Sequence, residues 1–103
     1  MLLVIDVGNT NTVIGVYDGD ELVHDWRLRT VVDHTVDEYG MLIYQLYKSS
    51  RISSRAIKAI IISCVVPPML NILEPLCRKY FNIKPIIVGP GIKTGMPILY
   101  DNP

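Results

Sequence analysis

Residues 2–7 read LLVIDV, a short and nearly continuous apolar run broken by Asp6. Such a run suits a strand covered on both faces, which places it in the middle of a sheet. It has no basic leader, and an acid at that depth suits neither a signal peptide nor a spanning helix. No other apolar run approaches the roughly 20 residues that a membrane helix needs. After the strand comes a polar cluster, Gly8, Asn9, Thr10, Asn11 and Thr12, before the chain turns apolar again in TVIGVY at 12–17.

Beyond that second strand, Asp18, Gly19 and Asp20 supply a turn, and alternation of Leu22, His24, Trp26 and Leu28 marks a third strand over 21–30. The three strands form an antiparallel meander. TVDE at 35–38 matches a capping box, with the Thr35 hydroxyl accepting from the Glu38 amide and the Glu38 carboxylate reaching back. Val36, Tyr39, Leu42, Ile43, Leu46 and Tyr47 follow helical spacing, and KSSRISSR at 48–55 ends the helix. Asp33, Asp37 and Glu38 cluster at its start, where acids favour the helix dipole.

AIKAIIIS at 56–63 predicts another buried strand, and Pro67 and Pro68 sit where a second helix begins. Met69, Ile72, Leu73, Leu76, Cys77 and Tyr80 form that helix's apolar stripe. KPIIVG at 84–89 predicts a last strand, and the Gly- and Pro-rich stretch at 90–103 a loop. Strand, helix, strand, helix, strand after a meander is an α/β pattern whose later strands run parallel through right-handed crossovers.

The chain has 103 residues, enough for one small domain. Half of them are hydrophobic, and 10 basic residues balance 10 acidic ones, which excludes a disordered chain and gives no basic stripe for nucleic acid. Cys64 and Cys77 lack metal-ligand spacing and read as buried thiols of a reduced, cytoplasmic protein. His24 and His34 likewise lack ligand partners. Arg27 and Arg29 alternate with inward positions and read as a solvated face, while Met41 and Met69 read as core or interface filler.

The polar cluster is the candidate site, and its residues admit two readings. In one, Gly8 lets a ligand approach the backbone, Asn and Thr donors hold phosphate oxygens, and Asp6 holds a hydrated magnesium ion. In the other, DVGNTNT is only a hairpin turn whose Gly and Asn supply positive φ. It is not a P-loop, because GxxxxGK[ST] is absent and no helix follows.

DVGNTNT at 6–12, WRLRT at 26–30, SCVVPP at 63–68 and GIKTGMPILYDNP at 91–103 together resemble the amino-terminal part of type III pantothenate kinases. The first motif alone is shared with a broad superfamily of acetate and sugar kinases, heat-shock ATPases and actin; the last two point to this family. The resemblance implies an actin-like ATPase (ribonuclease H-like) α/β domain, with a mixed five-stranded sheet in the order 3-2-1-4-5 and two helices. It implies ATP-dependent phosphorylation of pantothenate to 4'-phosphopantothenate, the first step toward coenzyme A. It maps ATP binding onto Asp6, Val7, Gly8, Asn9, Thr10, Asn11, Thr12 and Val13, magnesium onto Asp6 through water, and pantothenate contact onto Tyr100.

The same resemblance implies a monovalent cation (potassium or ammonium) and a homodimer, while cysteine usage, charge balance and hydropathy lead us to expect a cytoplasmic protein without a nucleic-acid or membrane partner. The family's catalytic aspartate falls beyond Pro103, so residues 1–103 correspond to the first of two domains and are expected to be inactive alone. Two other expectations follow from the same fold: a regulatory or binding module, and a kinase of sugars or carboxylates.

Overall fold

The computed structural model describes residues 1–89. Its frame is a mixed sheet of β1 (Leu2–Val7), β2 (Asn11–Asp18), β3 (Glu21–Arg29), β4 (Ala59–Cys64) and β5 (Ile86–Val88). The strand order is β3-β2-β1-β4-β5, as expected. β1 pairs antiparallel with β2 and parallel with β4, which in turn runs parallel to β5. α1 (Val36–Ser49) joins β3 to β4, and α2 (Leu70–Leu76) lies between β4 and β5.

Alternation decides which face each strand residue serves. Leu3, Ile5 and Val7 of β1 join Ile14, Val16, Ile60 and Ile62 in the main core, which Tyr39, Ile43 and Tyr47 of α1 and Leu73 and Leu76 of α2 close. Val4, Val13 and Tyr17 form a smaller cluster on the other face, with Leu2 and Leu22 packed against it. Asp6 has the parity of Leu2 and Val4, so it belongs to the face away from the helices.

Local departures from the sequence pattern have local causes. The register of β3 slips between Val16 and Tyr17: Val16 faces His24 and Tyr17 faces Leu22, leaving Val23 as the extra residue of a bulge. Leu22 therefore packs on the face opposite Trp26 and Leu28, where unbroken alternation would have put all three together. The fourth strand starts at Ala59 rather than 56, because Ser54–Ala56 form a 3₁₀ turn. The last strand shrinks to three residues, since Pro85 has no amide to offer a ladder.

The capping box of α1 forms, with the Glu38 amide 3.1 Å from the Thr35 hydroxyl and the Thr35 amide 2.8 Å from the Glu38 carboxylate. Leu42, expected in the stripe, is 39% exposed, and Met41, expected in the core or at an interface, is 46% exposed. At 3.6 residues per turn, Tyr39, Ile43 and Tyr47 point to one side and Gly40 flanks them, whereas Leu42 falls outside that arc. Met69 is fully buried.

The second helical segment is composite: a 3₁₀ turn Pro67–Met69, then α2, then a π-helical turn Cys77–Phe81 that ends at left-handed Asn82 (φ 56°). Pro75 lies inside α2 and cannot donate to the carbonyl one turn back, and the ladder widens just after it. The wider turn brings Phe81 into the core beside the expected Leu76 and Cys77, and leaves Tyr80 partly exposed against α1. Cys64 and Cys77 are free and buried. Burial, with a contribution from the Glu74 charge, pushes the Cys77 thiol up to about 12, which makes it an inert core residue. No helix among the described residues is long and apolar enough to cross a membrane.

The two helical segments meet at Gly40. A Cβ there would lie 2.3 to 2.9 Å from three carbons of the Tyr80 ring. That ring is not free to retreat, because its hydroxyl donates to Asp37 at 2.8 Å, where Lys79 also donates at 2.7 Å. Asp37 thus ties the segments together besides standing at the helix start.

Gly40→Ala should destabilise the protein by about 1–3 kcal/mol in denaturant titration, overpacking outweighing the better helix propensity of alanine. The hydrogen bonds from Lys79 and Tyr80 hold the Asp37 carboxyl below its ordinary value. Its contribution is therefore present above the unfolded-state value near 4 and is lost as pH falls through the lower folded value. Thermal melts of wild type and Asp37→Asn should differ by a small constant amount at neutral pH, as befits an exposed ion pair, and converge in acid.

Candidate functional site

β1, β4 and β5 all end at one rim of the sheet, where the antiparallel β2 begins and β3 ends. From β1 the chain turns toward β2; from β4 it continues to the other side, toward β5. Connections that diverge from adjacent parallel strands leave a crevice at their carboxyl ends, the usual ligand position in such sheets. Asp6 and its register neighbour Ser63 occupy this rim, followed by the hairpin tip Gly8, Asn9 and Thr10.

The tip is narrow. Gly8 donates its amide to the Asn11 carbonyl at 2.9 Å, and Asn9 and Thr10 are exposed. Left-handed backbone occurs among the described residues at Gly19, Arg51 and Asn82, and nowhere between Asp6 and Val13. The turn therefore does not use Gly8 or Asn9 for positive φ, which removes the main conformational reason for that composition. Gly19 does serve that purpose, at φ 63° in the next hairpin.

The eight residues mapped onto ATP binding divide by depth. Asp6, Gly8, Asn9, Thr10 and Asn11 lie on the open rim, with Asn11 sharing the face of Asp6 through Val13. Val7 and Thr12 have no exposed surface and Val13 retains 3%, so these three lie beneath the loop and support it. Thr12 is the buried polar residue here; its hydroxyl is 2.9 Å from that of Thr30, which in turn donates to the Gly8 carbonyl at 2.8 Å. Tyr100 lies outside the described residues.

Thr30 and Tyr39 are members of the site that sequence reasoning missed. Thr30 stood in WRLRT only as the end of a strand, and Tyr39 only as a core position of α1. Tyr39 donates its hydroxyl to the Arg29 carbonyl at 3.0 Å and interacts with Thr12. The one available signal was that a hydroxyl at position 30 closes a strand of alternating arginines and apolar residues.

Asp6 has no compensating charge among the described residues. It is half-buried, no ion pair reaches it among the described residues, and burial pushes its carboxyl above the ordinary carboxylate range. An acid in that position costs stability unless a cation joins it. Among the described residues no three His, Cys, Asp or Glu side chains converge to hold a metal. A single carboxylate suits magnesium, which keeps most of its waters and binds substrate phosphates alongside one or two acids.

The profile of the type III pantothenate kinases matches residues 2–103. Proteins named type III pantothenate kinase share 81% identity with this chain in Syntrophus aciditrophicus, 61% in Syntrophobacter fumaroxidans and 60% in Geobacillus kaustophilus, each over all of this chain. The chain spans 40 to 41% of the length of these relatives. Among solved structures, a protein assigned as an N-acetylglucosamine kinase from Porphyromonas gingivalis superposes with a TM-score of 0.63 over 86% of this chain and 34% of its own. At 15% identity that likeness concerns the fold alone. With a match running from the first strand through the last motif, the chain belongs to the type III pantothenate kinase family.

Proposed function

We propose that the full-length protein transfers the γ-phosphoryl of ATP to the terminal hydroxyl of pantothenate, the first step toward coenzyme A. The observation that carries this reading is the half-buried carboxylate of Asp6, without an ion-pair partner among the described residues, beside an exposed polar hairpin whose composition no turn geometry demands. Asp6 would hold hydrated magnesium, which supplies charge neutralisation to the polyphosphate when bound. Gly8, Asn9, Thr10 and Asn11 offer amide and hydroxyl donors around the phosphates, while Val7, Thr12 and Val13 hold the loop from below.

Phosphoryl transfer depends chiefly on positioning and charge neutralisation, so one wall of a cleft supports little catalysis. On this reading residues 1–103 alone do not turn over, and the base, a monovalent cation site and a homodimer interface belong to the remainder of the protein. Tyr100 would contact pantothenate. The setting is cytoplasmic, with no nucleic-acid or membrane partner.

Assays of the full-length protein with ATP and pantothenate, a sugar panel or acetate test the substrate; activity on sugars without activity on pantothenate would refute the assignment. Asp6→Asn should lower kcat by about 10²-fold or more, the scale of losing one preorganised electrostatic group. Its stability should not fall. Because the folded carboxyl titrates above its unfolded value, wild type loses stability as pH rises through that folded value, and asparagine has no such loss. Melts at neutral pH without nucleotide should place Asp6→Asn at or above wild type; a misfolded variant with normal turnover per folded molecule would support a purely structural turn.

A further inference from the structure

We infer that Thr30 is a positioning residue for nucleotide binding: it holds two carbonyls of the hairpin tip and so fixes the tip with the Asn9 amide facing the rim. The inference rests on the phosphate-site reading above. Thr30 reaches the tip twice, its hydroxyl donating to the Gly8 carbonyl at 2.8 Å and its own amide donating to the Thr10 carbonyl at 2.8 Å. In a planar trans peptide the carbonyl and the following N–H point in opposite directions. With the Gly8 carbonyl drawn toward Thr30, the Asn9 amide points away from β3; the Thr10 carbonyl, held by the Thr30 amide, turns the Asn11 amide toward Gly8, whose own amide donates to the Asn11 carbonyl at 2.9 Å. One donor, the Asn9 amide, is thereby aimed at the rim, where a backbone N–H can meet an anion.

Proton accounting shows how the arrangement is held. Thr30 has one hydroxyl proton, spent on Gly8, so its oxygen can only accept from Thr12, whose single proton is shared between the Thr30 and Tyr39 hydroxyl oxygens. Tyr39 spends its proton on the Arg29 carbonyl at 3.0 Å. Each hydroxyl proton has an acceptor, and Thr12 and Tyr39 are fully buried. The clamp therefore runs from α1 through β3 to the tip, with Thr30 as the residue that touches the loop.

The test uses the full-length protein with magnesium-ATP as probe, measuring its Kd by calorimetry and KM for ATP and pantothenate separately. Thr30→Val, which keeps the shape and removes the hydroxyl, should raise Kd and KM for ATP about tenfold, as expected for a lost hydrogen bond of about 1.4 kcal/mol. KM for pantothenate should stay within twofold, and Thr30→Ser should restore ATP affinity. A merely structural role would lower the melting temperature and the active fraction while leaving KM for ATP unchanged, and that result overturns the proposal. Should Thr30→Val fail to fold, Tyr39→Phe reads the same support one bond further out; a rise of about twofold in KM for ATP supports the clamp, and no rise counts against it. Asp6→Asn separates the two readings: weakened magnesium-ATP binding there with none in Thr30→Val overturns only the clamp, whereas unchanged binding in both removes the phosphate site itself.

Discussion

Pairing of β1 along both of its edges is the constraint on which the rest of this structure depends. Its two neighbours, β2 antiparallel and β4 parallel, leave the strand no freedom of register, since a slip by one residue would exchange its two faces. That exchange would drive Asp6 into the helix-covered core and expose Ile5 and Val7. The same pairing brings the end of β1 level with Ser63 on one side and Val13 on the other. Hydrophobic burial on the helix side therefore fixes the position of a carboxylate on the other.

On the proposed reading, stability and function pull against one another at that carboxylate. Burial raises the free energy of the charged form of Asp6, and no neighbouring cation among the described residues repays it. The apolar framework tolerates the cost, because Leu3, Ile5, Val7, Ile60 and Ile62 are all but completely buried on the opposite, helix-covered face of the sheet. Just above, the hairpin tip carries exposed amide and hydroxyl residues without the left-handed backbone that would make them a conformational necessity. Both features suit a site completed by an anionic ligand and its metal, and neither helps the chain to fold.

Much of this was legible from residue types. Short-range physics governs the capping box of Thr35 and Glu38, the turn at Gly19 and the apolar run of β1, so each appeared where it was read. The misses have tertiary causes. Leu22 changed faces because a bulge at Val23 shifted the register of β3, which alternation cannot show. Leu42 fell outside the core because α1 met the second helical segment at Gly40, a contact decided by the Tyr80 ring. Pro75 was visible in the sequence, yet its outcome, a widened turn that buries Phe81, depended on there being a core to receive it.

By itself the sequence determined the strands, the two helices, their α/β order and the polar stretch proposed as the phosphate site, because periodicity, caps and turn residues act over a few neighbours. Through four ordered motifs it also identified the family. Only the tertiary structure decided which polar residues face outward and which hold them there. Thr10 and Thr12 are two apart and chemically alike, but one is exposed at the tip and the other is sealed beneath it, bonded to a threonine 18 residues away. That difference arises from strand pairing across the sheet, which joins residues distant in the chain and leaves no mark in the local pattern.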